Sequence, residues 1–199
     1  MTTSSVPEQR PSGARPAGSF GPSALATPAN ALTAARLLLA PVVIVLIVDR
    51  GAAWSTLLVW IAVAASDALD GWVARRQGST SSGAFLDPLA DKVLVLGALV
   101  ALVAEGVFWW VPVALIAVRE VVISGYRSYV GRQGVSVPAR RWAKVKTVTQ
   151  EVAVGFALLP LTSDHTWVAT FVLWIAVALT LVTGVQYLLD GRRSQQRAV

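Results

Sequence analysis

The sequence predicts an all-α, polytopic membrane protein, with six transmembrane helices around an intramembrane polar site open to the cytoplasm. Three observations lead there. Hydrophobic residues fill 55% of the 199 positions and charged residues only 14%, against about 25% charged in an average soluble domain. The apolar residues fall into six long runs broken by short turn or charge signals. Every Lys and Arg of the 17 except Arg50 falls in a segment that six alternating spans place on one side, the asymmetry expected of cytoplasmic loops.

The same composition excludes much chemistry. The mean hydropathy of +0.61 argues against a soluble globule and against a disordered chain. With no Cys and one His, His165, disulfides, thiolate metal sites and a Cys nucleophile are ruled out. Any bound metal must take oxygen ligands, which points to Mg²⁺, Mn²⁺ or Ca²⁺. The net charge of +6 is explained by topology, so no nucleic-acid partner is expected.

Residues 1–27 are rich in Pro, Ser, Gly and Ala and read as a flexible cytoplasmic tail. The domain runs over residues 28–189. A span needs about 20 mostly apolar residues, and candidates lie at 32–48, 54–76, 83–103, 108–130, 145–161 and 167–188. Between them stand Asp49-Arg50-Gly51, Gly78 to Ser82, Ala104-Glu105-Gly106, Gly131 to Lys144 and Thr162 to His165. Residues 190–199 form a basic cytoplasmic tail. Six spans put both termini in the cytoplasm of a multi-pass protein of the plasma membrane. Trp54, Trp109, Trp110 and Trp167 cluster at the opposite ends, as an aromatic belt does.

The acids carry the functional signal. An Asp at mid-membrane costs about 2.5–3.5 kcal/mol on insertion scales. Spans two and three hold four: Asp67, Asp70, Asp87 and Asp91. Uncompensated, they would cost on the order of 10 kcal/mol, as much as a whole domain's stability. Asp67 and Asp70 share a helix face at i,i+3, and Asp87 and Asp91 share one at i,i+4. An antiparallel hairpin through Gly78–Ser82 brings the four to similar depth. One or two oxygen-ligated Mg²⁺ or Mn²⁺ ions relieve their repulsion. Pairing with Arg75, Arg76 and Lys92 is the alternative, but sets four acids against three cations. Gly71, Ala74 and Gly83 keep the backbone near the acids accessible, or serve helix packing. Arg75, two turns after Asp67, can meet a phosphate.

Asp67-Ala68-Leu69-Asp70-Gly71-Trp72-Val73-Ala74-Arg75, seven further residues, then Gly83-Ala84-Phe85-Leu86-Asp87-Pro88-Leu89-Ala90-Asp91 resembles the signature of the CDP-alcohol phosphotransferases, D-x2-D-G-x2-A-R-x7–8-G-x3-D-x3-D, at every fixed position. The resemblance extends from about Pro28 to Leu189. It implies six helices, a homodimer, and attack of an acceptor hydroxyl on the lipid-side phosphorus of a CDP-linked lipid, with CMP leaving. It implies that Asp67, Asp70, Asp87 and Asp91 hold divalent metal, two ions in all, and that Asp91 is the general base. It places Gly71 and Arg75 on the CDP moiety and Ser81 near the diphosphate. Asn30-Ala31-Leu32-Thr33 resembles the family's N-terminal Pro-Asn-x-x-Thr element near the nucleotide, although Ala29 here separates Pro28 from Asn30. An ordinary helix N-cap at Asn30 is the equal alternative.

The acceptor is addressed by the second half of the chain. Arg119 and Arg127 lie about two turns apart on one face of span four, and Lys144 and Lys146 open span five. Cations converging beside a metal site predict an anionic acceptor, best a phosphate. Glu120 is a candidate partner for one of them. Arg132, Arg140 and Arg141 fit topology or head-group contacts better. The segments Arg119 to Arg127 and Lys144 to Gln150 resemble those of bacterial phosphatidylglycerophosphate synthases. That resemblance implies CDP-diacylglycerol as donor and sn-glycerol 3-phosphate as acceptor, with inositol phosphate as the runner-up. A divalent-metal transporter is the alternative of another class, because buried acids also line ion paths. Against it, acids occupy only the cytoplasmic half.

Overall fold

The computed structural model describes residues 28–77, 81–132 and 142–196, with side chains described over 34–66, 92–126, 129–130 and 144–189. Among the described residues the chain is all-helical: α1 (Pro28–Arg50), α2 (Trp54–Gln77), α3 (Ser81–Ala104), α4 (Trp110–Arg132), α5 (Trp142–Leu158) and α6 (Thr166–Gln196), with a 3-10 turn at Pro160–Thr162.

Several boundaries have a local cause. Pro28 opens α1, where its fixed φ suits the first helical position and its missing N–H costs nothing. Asn30 therefore lies inside the first turn, which removes the N-cap alternative. Gly51 ends α1 with φ +56°, its N–H on the Ile47 carbonyl at 2.9 Å. Gly106, at φ +72°, turns the chain between α3 and α4. Pro160 stops α5 at Leu158, three residues before the apolar run ends, because the residue before a proline is driven out of the α region. Leu159 accordingly has φ −73° and ψ 118°. The sixth helix, by contrast, continues to Gln196, through most of the segment read as a tail. Its Arg, Gln and Leu residues are good helix formers, and no proline interrupts them.

The helices alternate in direction. Ile47, Gly51, Leu102, Glu105, Ala157 and Thr166 line one small cavity, so α1, α3, α5 and α6 share a distal end, opposite the start of α1 and the end of α6. The most extensive packing is α1 on α3 and α5 on α6, followed by α1 on α2 and α4 on α6. Thus α1 packs against both helices that carry the acids. The α1–α3 approach is close at Gly97, where an added Cβ would stand 2.9 Å from Ile44 Cδ1. Small residues allow such approach between helices in a bilayer. Val43, Ile47, Trp60, Leu99, Leu158 and Leu173 fill the core of the distal half. Trp60 ties α2 to α5 by donating from Nε1 to the Glu151 carbonyl at 3.1 Å.

Among the described residues, one helix, Thr166–Leu189, is long and apolar enough to cross a bilayer on length and composition; Trp54–Ser66 and Lys92–Ala104 are shorter apolar stretches. The other runs are interrupted by charge, notably at Arg119, Glu120, Lys146 and Glu151. Large apolar side chains face outward all the same, among them Leu38, Leu58, Val100, Val121 and Phe171. Trp54, Trp109, Trp110 and Trp167 are all exposed at the distal end.

Candidate functional site

Charged and polar residues form a layer across the middle of the bundle. Glu120 lies ten residues in from the distal end of α4, Lys92 and Lys146 twelve in from those of α3 and α5, and Arg36 and Thr180 fourteen in from those of α1 and α6. At a rise of about 1.5 Å per residue these depths differ by only about 6 Å. Asp67 and Asp91 fall in this layer, and Asp70 and Asp87 less than one helical turn beyond it. Asp67 and Asp70 lie 13 and 16 residues in along α2, and Asp91 and Asp87 lie 13 and 17 residues in along α3.

At the centre is Glu120, 7% exposed. Its Oε1 accepts from Arg119 Nη1 at 2.9 Å and pairs with Lys146 Nζ. Its Oε2 lies 3.8 Å from Lys92 Nζ. Lys92 also donates to Ser124 Oγ, and Ser124 donates to the Glu120 carbonyl at 2.6 Å. One carboxylate thus holds cations from α3, α4 and α5. A buried ion pair is tolerated only when its remaining donors and acceptors are also served.

Arg119 is pinned on its other side by α6. Its Nε donates to the Thr180 carbonyl at 2.9 Å and its Nη2 to Thr183 Oγ1 at 3.0 Å. Gly184 makes room: a Cβ there would stand 3.1 Å from Arg119 Nε. Gln150 extends the network by donating from Nε2 to Thr180 Oγ1 at 3.1 Å. Further from the distal end, Tyr126 of α4 and Tyr187 of α6 meet edge to face at 6.3 Å.

A second polar contact lies beside the aspartates. Arg36, 1% exposed, donates from Nη2 to Ser66 Oγ at 3.4 Å. Ser66 immediately precedes Asp67 and donates to the Val63 carbonyl at 2.7 Å.

Of the site residues read from sequence, the structure brings Arg119 and Lys146 together on Glu120, and leaves Lys144 exposed at the start of α5. Asp67, Asp70, Gly71 and Arg75 fall in α2, Ser81, Asp87 and Asp91 in α3, Asn30 and Thr33 in α1, and Arg127 in α4. Their side chains lie outside the described residues. Sequence reasoning missed Ser124, Thr180 and Thr183, and named Gln150 only as part of the segment that follows Lys144 and Lys146. It also read Lys92 only as a partner for the aspartates. Mid-span hydroxyls and amides were the available signal, since each must find a partner away from water.

Comparison with known proteins sets this geometry in context. Residues 26–182 match the family profile described as CDP-alcohol phosphatidyltransferase. The chain is similar to a Mycobacterium tuberculosis H37Rv protein named "Probable phosphatidylglycerophosphate synthase", with 39% identity over 180 residues, covering 87% of this chain and 85% of that protein. It is also similar to two proteins named CDP-diacylglycerol–glycerol-3-phosphate 3-phosphatidyltransferase. The one from Rickettsia typhi is 34% identical over 165 residues, 79% of this chain and 93% of its own length. The one from Pseudomonas fluorescens is 39% identical over 170 residues, 80% and 87% respectively.

Proposed function

The chain belongs to the CDP-alcohol phosphatidyltransferase family, and from that premise we propose that it transfers the phosphatidyl group of CDP-diacylglycerol to sn-glycerol 3-phosphate, releasing CMP and phosphatidylglycerophosphate. The observation that carries this reading is the shared depth of the four signature aspartates and the cation cluster around Glu120. A transfer from a CDP-lipid to a phosphorylated alcohol needs carboxylates that can hold metal for the diphosphate and a basic site for the acceptor within one substrate's length.

Asp67, Asp70, Asp87 and Asp91 offer only carboxylate oxygens from two consecutive helices, a donor set suited to two Mg²⁺ or Mn²⁺ ions. When bound, such ions neutralise the diphosphate and stabilise the departing CMP. In the proposed site Gly71 and Arg75 contact the CDP moiety, Ser81 its diphosphate, and Asn30 and Thr33 the nucleotide side. Arg119, Arg127, Lys144 and Lys146 hold the acceptor phosphate. Asp91 takes the proton of the acceptor hydroxyl as its oxygen bonds to the lipid-side phosphorus. The bond from that phosphorus to the bridging oxygen breaks, and CMP leaves with the electron pair. Phosphoryl-type transfer draws mainly on alignment and charge stabilisation, which a preformed polar layer supplies.

The protein acts in this reading as a multi-pass homodimer of the plasma membrane, with six spans and both termini cytoplasmic. Outward apolar side chains on the helices and the one-sided placement of the cations support the membrane topology. The family resemblance supports the homodimer.

An acceptor competition tests the reading. Purified protein receives CDP-diacylglycerol with glycerol 3-phosphate, inositol phosphate, serine and free inositol together, and the lipid formed is identified. Phosphatidylglycerophosphate is the expected product; an inositol or serine lipid would reassign the acceptor. Activity should also disappear on chelation and return with Mg²⁺ or Mn²⁺.

A further inference from the structure

We infer that Glu120 is the positioning residue of the acceptor subsite, and that Lys92 belongs to that subsite alongside the cations named above. The inference rests on glycerol 3-phosphate being the acceptor. Three like charges do not converge from three helices unaided; they repel. Among the described residues, the group at which Lys92, Arg119 and Lys146 converge is the Glu120 carboxylate. Its own orientation is fixed from behind, because Arg119 is anchored to Thr180 and Thr183 of α6.

The donors left over point to an anion. A guanidinium has five N–H donors and an ammonium three. Arg119 places three on protein groups, leaving two. Among the described residues Lys146 donates to Glu120 alone, and Lys92 donates to Ser124. Among the described residues, three cations against one carboxylate leave two positive charges in this cluster, the complement of a phosphate monoester dianion. Lys92 is also one residue after Asp91 on α3. Its contacts to Glu120 and Ser124 therefore set the phosphate-binding cations of α4 and α5 in register with the proposed base.

Two opposite roles for Glu120 predict opposite kinetics. A carboxylate that merely occupied the cations until phosphate arrived would compete with it, so its removal would tighten the acceptor. A positioning carboxylate loosens the acceptor when removed. The test is steady-state kinetics of the full chain against both substrates. Glu120→Gln should raise KM for glycerol 3-phosphate about 10–100-fold, the usual scale for lost supporting contacts, while KM for CDP-diacylglycerol changes less than about twofold. Glu120→Asp, which keeps the charge, should recover most of the loss. Lys92→Gln, at a half-buried position that leaves the Arg119–Glu120–Lys146 contacts intact, should shift the acceptor KM the same way even where Glu120→Gln does not fold. An unchanged or lowered acceptor KM in these variants, or equal rises for both substrates, would overturn the proposal. Failure of the unaltered protein to use glycerol 3-phosphate would instead overturn the functional reading beneath it.

Discussion

Around Trp60, Leu99 and Leu158, in the distal half of the bundle, the buried side chains are almost entirely apolar; around Glu120, about one to three helical turns further in, they include Arg, Lys, Gln and Thr. Both regions are buried, yet they are held by different forces. The distal half rests on close packing of small and branched side chains, as at Ile44 against Gly97. The middle layer rests on a network in which removing one member strands the others, so buried ionic groups there are costly to keep without their partners. The lesson is a division of labour: apolar packing supplies a rigid frame, and the polar layer is retained despite its cost because the proposed chemistry needs it.

That contrast can be broken or sharpened experimentally, beginning with the variant of largest effect on the reaction. Asp91→Asn should lower the rate of CMP release by about 10²–10⁴-fold, the usual contribution of a general base, while the protein stays extractable and still binds CDP-diacylglycerol. Near-normal turnover would remove Asp91 from that role. Lys146→Ala should act on the acceptor side, raising KM for glycerol 3-phosphate by at least about tenfold with little change for the lipid donor. In the distal half the pattern should reverse. Leu99→Ala removes a fully buried side chain and should cost about 2–5 kcal/mol of stability, read as an earlier unfolding midpoint in detergent, with both KM values unchanged. Trp167→Phe, at an exposed distal position, should change stability by less than about 0.5 kcal/mol and leave the kinetics alone. Selective acceptor defects from Leu99→Ala would show that the two regions are not separable.

Much of this was legible before any coordinates. Long apolar runs between Gly, Pro and charged breaks located six helices, because those residues act locally on the backbone. The aspartates stood out for the same reason that they are costly in a bilayer. Helix ends were less legible where neighbouring chemistry decided them: Pro160 shortened α5 and the Arg- and Gln-rich segment after Asp190 lengthened α6. The partners of the charges were not legible. Spacing places Arg119 and Arg127 on one face of α4, but it does not say that α6 lies against Arg119, nor that Lys92 of α3 reaches Ser124 of α4. Such contacts depend on how helices distant in sequence dock. The α2–α3 turn likewise drew attention to that hairpin, whereas α1 is the helix that packs against both of its arms.

The most direct measurement is CMP release by the purified, membrane-reconstituted protein supplied with CDP-diacylglycerol, with and without glycerol 3-phosphate. A polar layer that aligns two substrates predicts release only when the acceptor is present, with one phosphatidylglycerophosphate formed per CMP. CMP release without acceptor, or none with it, would contradict the account.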